Sequence, residues 1–171
     1  FAPALTGLAR AHPALHVHMR FSDRYVDLVA EGFDCGIRVG YMPDSNLVAR
    51  KIGELPVCLY ASPEYIRLQG APDTPADVLN HAAIMSGTEA WKFSDGDQGF
   101  TVHPQGRFKA DHAHVLVEAA AAGLGIVAMG EVVAAPYVAA GTLTQIMSRY
   151  RLPPVGIYVV RPPSQHTPRK V

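Results

Sequence analysis

The sequence predicts an α/β protein. Short apolar runs typical of buried strands alternate with helical patterns along the chain. The stretch 27–40, DLVAEGFDCGIRVG, shows this most clearly, because it reads as a helix end, a glycine stop and a strand. Gly32 stands where a left-handed helix terminus needs a residue without a Cβ. In the run 33–39 only Asp34 and Arg38 are charged, so we expect a buried strand covered by helices in a largely parallel sheet.

The elements before residue 62 follow from periodicity and from turn residues. Apolar and polar residues alternate over 15–21, which is the period of a strand. Ser22 or Asp23 can cap the helix that follows. In chain order we predict helices over 3–11 and 24–31, and strands over 15–21, 34–39, 47–52 and 55–61.

The chain changes character at Ser62-Pro63, where the serine can cap a short helix and the proline can occupy its first turn. The pattern that begins at Asp111 predicts the longest helix, with a face of small residues over 116–123 that permits close packing. Pro136 is expected to kink the last helix. We predict helical segments over 63–67, 74–81, 111–123 and 131–140, and strands over 83–86, 91–94, 99–103, 108–110, 126–129, 143–147 and 156–160.

The composition is that of an ordinary globular protein. Of the 171 residues, 49% are hydrophobic and 18% are charged, and 15 basic residues balance 15 acidic ones. A chain without net charge shows no excess of the basic residues that bind nucleic acids and anionic membranes. No apolar run approaches the roughly 18 residues that a membrane helix needs. The chain starts at Phe1 in the middle of a pattern, so we expect a fragment of a longer protein.

Residues suited to catalysis or metal binding are sparse. Cys35 and Cys58 fall in predicted buried strands, where we expect reduced core thiols rather than a disulfide framework. The histidine pairs at 16/18 and 112/114 have no cysteine or carboxylate at metal-ligand spacing. The sequence also lacks a phosphate-binding glycine loop and a serine nucleophile elbow. We therefore expect no metal, no cofactor and no enzymatic activity.

Four blocks in a fixed order carry a family resemblance. They are DLVAEGFDCGIRVG at 27–40, PDSNLVARKIGELPVCLYASPEYI at 43–66, GAPDTPADVLNHAAI at 70–84, and the pair AAAAGLGIVAM and AAGTLTQIM at 119–129 and 139–147. In this order and spacing they resemble the effector-binding domain of LysR-type transcriptional regulators. The resemblance covers essentially the whole chain.

The resemblance implies a type II periplasmic-binding-protein-like α/β fold. In that fold two α/β lobes are joined by two crossover strands, and the ligand cleft lies between the lobes. The first lobe would comprise residues 1–60 and 154–171, without its first strand, and the second lobe residues 61–153. The family's winged helix-turn-helix would be absent from this chain, which agrees with the neutral charge.

Candidate ligand positions follow from the general geometry of α/β sheets. Ligands bind beyond the carboxyl ends of the strands, where the N-termini of helices favour anions. The positions that we predict on this basis are Ser22, Asp23, Arg38, Ser86, Gly87, Asp111 and His112. The resemblance further implies a hydroxyl residue against the effector at Ser22. A small carboxylate is the kind of effector that would suit this set.

Each of these residues also has a purely structural interpretation. Ser22 can serve only as a helix cap. Arg38 can bind a ligand carboxylate through two hydrogen bonds, or it can form an internal ion pair with Asp34 or Asp23. His112 can donate to a ligand or simply lie exposed in the first turn of its helix.

The resemblance implies the effector-sensing and dimerisation domain of a cytoplasmic bacterial transcriptional regulator. A small molecule bound between the lobes would modulate DNA binding by the helix-turn-helix that this chain lacks. The domain would form a homodimer or homotetramer through the helix near Leu5–Leu8 and the long helix over 111–123, and would contact no membrane. The alternative is a periplasmic solute-binding protein of a transporter, which shares the fold.

Overall fold

The computed structural model describes residues 2–22, 26–40, 46–87 and 90–163. The helices are α1 (Ala2–Ala11), α2 (Pro63–Gln69), α3 (Ala113–Ala121) and α4 (Glu131–Ala139), and a 3₁₀ turn spans Asp77–Asn80. The strands are β1 (Gly36–Val39), β2 (Val48–Leu55), β3 (Val57–Ala61), β4 (Ala83–Met85), β5 (Trp91–Asp95), β6 (Gln98–Val102), β7 (Phe108–Lys109), β8 (Ile126–Gly130), β9 (Thr144–Ile146) and β10 (Val155–Arg161). Most of the predicted elements are therefore present, with ends that differ by one to three residues.

Two sheets and a hairpin make up the described part of the chain. The three-stranded sheet has the order β1-β10-β2, and the five-stranded sheet has the order β7-β4-β8-β3-β9. The β5–β6 hairpin stands apart from both. The chain passes from the first sheet to the second at Pro56 and returns through residues 147–154. The predicted two-lobe arrangement requires two passages of this kind between its lobes.

The pairing is mixed rather than largely parallel. Parallel pairing is found where β4 contacts β7 and β8. By contrast, β3 runs antiparallel to both of its neighbours, and so does β10. Both of these strands follow directly from a strand of the other sheet. A strand that enters a sheet in this way need not share the direction of the strands that helices connect within that sheet.

The stretch 27–40 keeps its predicted glycine stop but differs on either side of it. Gly32 has φ +73°, and the N–H groups of Gly32 and Phe33 donate to the carbonyls of Val29 and Leu28 at 3.2 and 2.8 Å. This is the Schellman arrangement, which needs the left-handed residue. However, the described part of the predicted helix, residues 26–31, forms only a turn.

Two predictions about strands are wrong in the described residues. The segment 15–21 has the alternating pattern but forms no strand, because it pairs with none of the described strands. β1 was expected to be buried, yet it lies at the edge of its sheet and leaves Ile37 and Val39 exposed. A period of two shows which residues share a face, but it does not supply the neighbouring strand that a ladder requires.

The core lies on both faces of the five-stranded sheet. One cluster contains Trp91 and Phe93 of the hairpin, so the tryptophan belongs to the core. The other cluster contains Leu116, Ala119 and Ala120 of α3, packed against β3, β4 and β8. The small-residue face of α3 is thus used for close packing on its own sheet, and it is not available to a second copy of the chain.

A buried tyrosine joins α2 to the start of β4. Tyr65 is 8% exposed, its hydroxyl accepts a hydrogen bond from the Ala82 N–H at 3.1 Å, and it lies 3.2 Å from His81 Nδ1. A tyrosine hydroxyl can accept one hydrogen bond and donate another. While its oxygen accepts from Ala82, its proton can be donated to the imidazole nitrogen. One hydroxyl of α2 therefore satisfies two groups of the segment that leads into β4.

Replacing Tyr65 by phenylalanine should lower the free energy of unfolding by about 1 kcal/mol, because the hydrogen bond from the Ala82 N–H would lose its partly buried acceptor. Urea denaturation measures this loss. Tyr137→Phe is the matched control, since the Tyr137 hydroxyl donates to Glu118 Oε1 at 2.7 Å on the exposed surface. Water replaces the lost partner there, so the control should lose less; equal losses would contradict the role assigned to Tyr65.

Candidate functional site

Four of the predicted ligand residues lie at one edge of the five-stranded sheet. Met85 of β4 is in parallel register with Lys109 of β7, and the N–H of Ala110 donates to the Met85 carbonyl at 3.2 Å. The residues that follow these two strands, Ser86-Gly87 and Asp111-His112, therefore leave the sheet side by side. All four are exposed.

Helix α3 begins at this edge. His112 is its N-cap, with extended backbone angles of φ −100° and ψ 120°, and its side chain makes no capping hydrogen bond. The first-turn N–H groups carry the partial positive charge of the helix, which favours an anion. The rings of His112 and His114 lie 5.5 Å apart between centroids, so two imidazoles share this end of the helix.

Gly87 gives the loop after β4 its shape. Its φ of +92° lies in the region that favours glycine, and a Cβ built there would meet no atom within 4 Å. A side chain at this position is therefore opposed by the backbone conformation and not by a lack of space. The exposed Ser86 precedes it.

Of the remaining predicted residues, Arg38 lies in the three-stranded sheet. Arg38 of β1 is half-buried, and its Nη2 donates to the carbonyl of Val26 at 2.9 Å. This bond commits part of the guanidinium to the backbone of the turn. It is compatible both with binding of a ligand carboxylate and with an internal ion pair. Ser22 is exposed and precedes Val26 by four residues. Asp23 lies outside the described residues.

Sequence reasoning missed one residue of this region, Lys109. It is exposed on β7, next to Met85 in register, so it adds a basic side chain to an edge that already carries His112. The signal was present, because Lys109 follows Phe108 in the apolar–polar alternation of a short strand. What the sequence could not indicate was that β7 pairs with β4.

A recess lies at the other end of α3. It has a volume of about 300 Å³ and is lined by Glu64, Tyr65, Leu68, Gln69, Ala122 and Gly123. None of the predicted ligand residues lines it. The predicted positions and this recess are therefore separate features of the molecule.

The two cysteines differ from the expected buried pair. Both are free, but Cys35 is exposed and precedes β1, so its prediction as a buried strand residue is wrong. Cys58 is half-buried in β3, and its thiol donates to Glu131 Oε1 at 3.4 Å. Burial, with the carboxylate of Glu131, raises the pKa of the Cys58 thiol. A raised pKa disfavours the thiolate that oxidation and metal binding require.

The described ranges, 2–22, 26–40, 46–87 and 90–163, contain neither a metal-binding cluster nor a membrane-spanning helix. No group of three or more His, Cys, Asp or Glu side chains is arranged to hold a metal ion. None of the helices in these ranges has the length and apolar character needed to cross a membrane.

The whole chain matches a family model. The family described as the LysR substrate binding domain matches residues 1–171. An uncharacterised HTH-type transcriptional regulator of Haemophilus influenzae is 34% identical over 174 residues, which cover 99% of this chain and 60% of that protein. An HTH-type transcriptional repressor of Pseudomonas aeruginosa is 30% identical over 96% of this chain and 54% of its own length. The chain thus spans little more than half of these relatives.

Solved structures agree with the predicted fold class. The full-length Vibrio cholerae virulence activator AphB has a TM-score of 0.83 at 28% identity, over 99% of this chain and 59% of that one. The regulatory domain of AphB from Vibrio vulnificus has a TM-score of 0.79 at 29% identity, over 99% and 86%. The predicted type II periplasmic-binding-protein-like α/β fold is confirmed by these likenesses to regulatory domains.

Proposed function

The chain belongs to the LysR substrate-binding domain family, and on that premise we propose that it senses a small-molecule effector for a bacterial transcriptional regulator. The effector-binding role is that of the family's domain. A solute-binding protein of a transporter is not favoured, because the relatives are transcriptional regulators. The whole protein's DNA-binding activity, its cytoplasmic location and the lack of catalysis by this domain belong to the proposal.

One observation carries the position that we propose for the effector. The parallel pairing of β4 with β7 brings Ser86-Gly87 and Asp111-His112 to the same sheet edge, beside the start of α3. Hydroxyl, backbone N–H and imidazole groups in one place can bind an anionic group together. Lys109 in β7 offsets the negative charge of Asp111 at this edge, so the N–H groups at the start of α3 can still favour an effector with a carboxylate.

We propose that Ser22, Asp23 and Arg38 complete the site from the three-stranded sheet. The division of the chain into a first lobe of 1–60 and 154–171 and a second lobe of 61–153 is part of this proposal. An effector that binds residues of both lobes would favour their closed arrangement over an open one. The altered arrangement is the signal that the regulator would pass to its DNA-binding part.

A thermal-shift screen of small aromatic and aliphatic acids should identify the effector class, because a ligand of the folded state raises the melting temperature. For the best hit, Ser22→Ala combined with Arg38→Ala should raise the Kd about tenfold to a hundredfold, as expected for hydrogen bonds to a charged group. Titration calorimetry measures this change.

Two controls separate binding from folding in this experiment. Arg67→Ala removes an exposed arginine of α2, far along the chain from the proposed residues, and should leave the Kd unchanged. Arg38→Lys keeps the charge while altering the geometry, and should recover part of the affinity. An unchanged Kd in the Ser22/Arg38 double variant, with its melting temperature preserved, would overturn the placement.

We also propose that the domain forms a homodimer or a homotetramer. The exposed apolar residues Leu8 of α1 and Val132 and Val138 of α4 are compatible with such contacts. Multi-angle light scattering over a range of concentrations would test this, and a strict monomer at high concentration would contradict it.

A further inference from the structure

The return passage between the sheets is attached to the β5–β6 hairpin by backbone hydrogen bonds. Residues 147–154 connect β9 of the five-stranded sheet to β10 of the three-stranded sheet. Within this connector Arg151 forms an antiparallel bridge with Ser94 of β5. The Ser94 N–H donates to the Arg151 carbonyl at 2.8 Å, and the Arg151 N–H donates to the Ser94 carbonyl at 2.9 Å. The connector is therefore attached to the hairpin by a single-residue β-bridge.

Side chains of the two residues before Arg151 reinforce this attachment. Arg149 Nε donates to Asp95 Oδ2 at 2.8 Å, and its Nη2 lies 2.6 Å from the same oxygen. The Arg149 guanidinium also lies 5.6 Å from the centre of the Tyr150 ring, which in turn meets Phe100 of β6 edge-on at 5.9 Å. An ion pair and an aromatic contact thus join the connector to the hairpin.

The path of the connector is restricted at both of its ends. It starts at Met147, which has φ +52°, a conformation that a residue with a side chain adopts only when its surroundings require it. It ends at Pro153-Pro154, whose rings fix φ. The first passage is also held, because the Pro56 carbonyl accepts a hydrogen bond from the Glu131 N–H of α4 at 3.0 Å.

The hairpin itself is firmly anchored. Trp91, Phe93 and Val102 are buried in one core cluster of the five-stranded sheet, so the hairpin moves with that sheet. The part of the connector that is bonded to the hairpin is therefore fixed to the five-stranded sheet as well. Arg151 is held in this way and Leu152 packs against the same core cluster, while residues 153–154 lead on to β10 of the other sheet.

We propose that the β5–β6 hairpin acts as a latch on the connector 147–154. The latch is closed when the Asp95–Arg149 ion pair holds the connector against the hairpin, and it then determines which residues of the return passage can bend when the two sheets move relative to each other. With the latch closed, bending on the return passage is confined to residues 153–154, between Leu152, which packs on the core of the five-stranded sheet, and the first residue of β10. With the latch open, more of the segment 148–154 can bend, and the two sheets sample more arrangements. The latch would thus regulate the closure on which the proposed effector sensing rests, although it can be tested without any effector.

Asp95→Asn in the effector-free chain should open the latch more often. The amides of Ser94 and Arg151 report the bridge directly, and their hydrogen exchange should quicken roughly two- to fivefold, as expected from the loss of an exposed ion pair. Nuclear magnetic resonance at single-residue resolution measures both rates. Arg67→Gln, which removes the exposed pair of Arg67 with Glu64, is the control and should leave both rates unchanged.

A distance measurement tests the hinge itself. Spin labels at Arg50 of β2 and Gln69 of α2, in a background where Cys35 and Cys58 are serine, should give a wider distance distribution in Asp95→Asn. The charge-swapped variant, Asp95→Arg with Arg149→Asp, should narrow the distribution again, since it restores the attraction. If Asp95→Asn widened the distribution only by disturbing the local fold, the charge-swapped variant would not narrow it.

The outcomes separate this proposal from the proposed function. Unchanged exchange at Ser94 and Arg151, or a distance distribution of unchanged width, would overturn the latch even if an effector is found. Faster exchange and a wider distribution that the charge swap reverses would support it even if no acid in the thermal-shift screen binds. A response of equal size in Arg67→Gln would also overturn it.

Discussion

Gly106→Ala should destabilise the protein by about 3 kcal/mol or more. A Cβ at this position would lie 1.6 Å from the carbonyl oxygen of Ala83 and 2.6 Å from its carbonyl carbon. Both atoms belong to the backbone of β4, which is buried and paired on both sides. Neither can move without disturbing the hydrogen bond that the Ala83 N–H donates to the Gln105 carbonyl at 2.9 Å.

The expected change in melting temperature is a fall of roughly 6–12 °C, the amount by which such a loss lowers the midpoint in a domain of this size. Calorimetry or circular dichroism measures it. Gly99→Ala is the matched control, because a Cβ at Gly99 of β6 would meet nothing within 4 Å. Similar melting temperatures for the two variants would contradict the close approach of Gly106 to β4.

Leu116→Ala should lower the free energy of unfolding by about 2–5 kcal/mol. Leu116 is 2% exposed and packs in the cluster formed by α3 with β3, β4 and β8. Truncation removes its apolar contacts and leaves a cavity that the neighbouring strands fill only in part, since protein interiors are close-packed. Urea denaturation followed by tryptophan fluorescence measures the loss, because Trp91 is buried in the same half of the chain.

Val115→Ala on the same helix provides the comparison for Leu116→Ala. Val115 is 44% exposed, and alanine favours the helical conformation more than the β-branched valine does. We expect a change within about 0.5 kcal/mol. If Val115→Ala were as destabilising as Leu116→Ala, the buried face of α3 would have to be assigned differently.

Local features of the fold were predictable because their causes lie within a few residues. Ser62 was expected to cap α2, and its Oγ accepts from the Tyr65 N–H at 3.1 Å, with Pro63 in the first turn. Gly32 was expected in the left-handed region and has φ +73°. In both cases a residue type satisfies a need of the adjacent backbone, so the sequence pattern is sufficient evidence.

The segments that sequence reasoning misjudged depend on partners elsewhere in the chain. Residues 15–21 alternate as a strand should, but a strand forms only where another strand completes its ladder. Cys35 was expected to be buried because of its apolar neighbours, yet β1 is an edge strand and the residue before it is exposed. Neither result could be deduced from the residues within the segment.

The candidate site shows the same division. The sequence indicated Ser86-Gly87 and Asp111-His112 separately, as residues that follow a strand or begin a helix. Their common location results from the parallel register of Met85 with Lys109. Lys109 itself was missed, since only that register brings it to the site. The inclusion of Ser22, Asp23 and Arg38 in the same site stays a prediction.

By itself, the sequence determined the order of most strands and helices, their glycine and serine termini and, through the four blocks, the family to which the chain belongs. The tertiary structure decided which strands are neighbours, which faces are buried, and that Ser94 and Asp95 meet Arg151 and Arg149 across more than fifty residues. The physical reason is that periodicity and capping arise from the local backbone, whereas pairing and burial depend on contacts between distant segments.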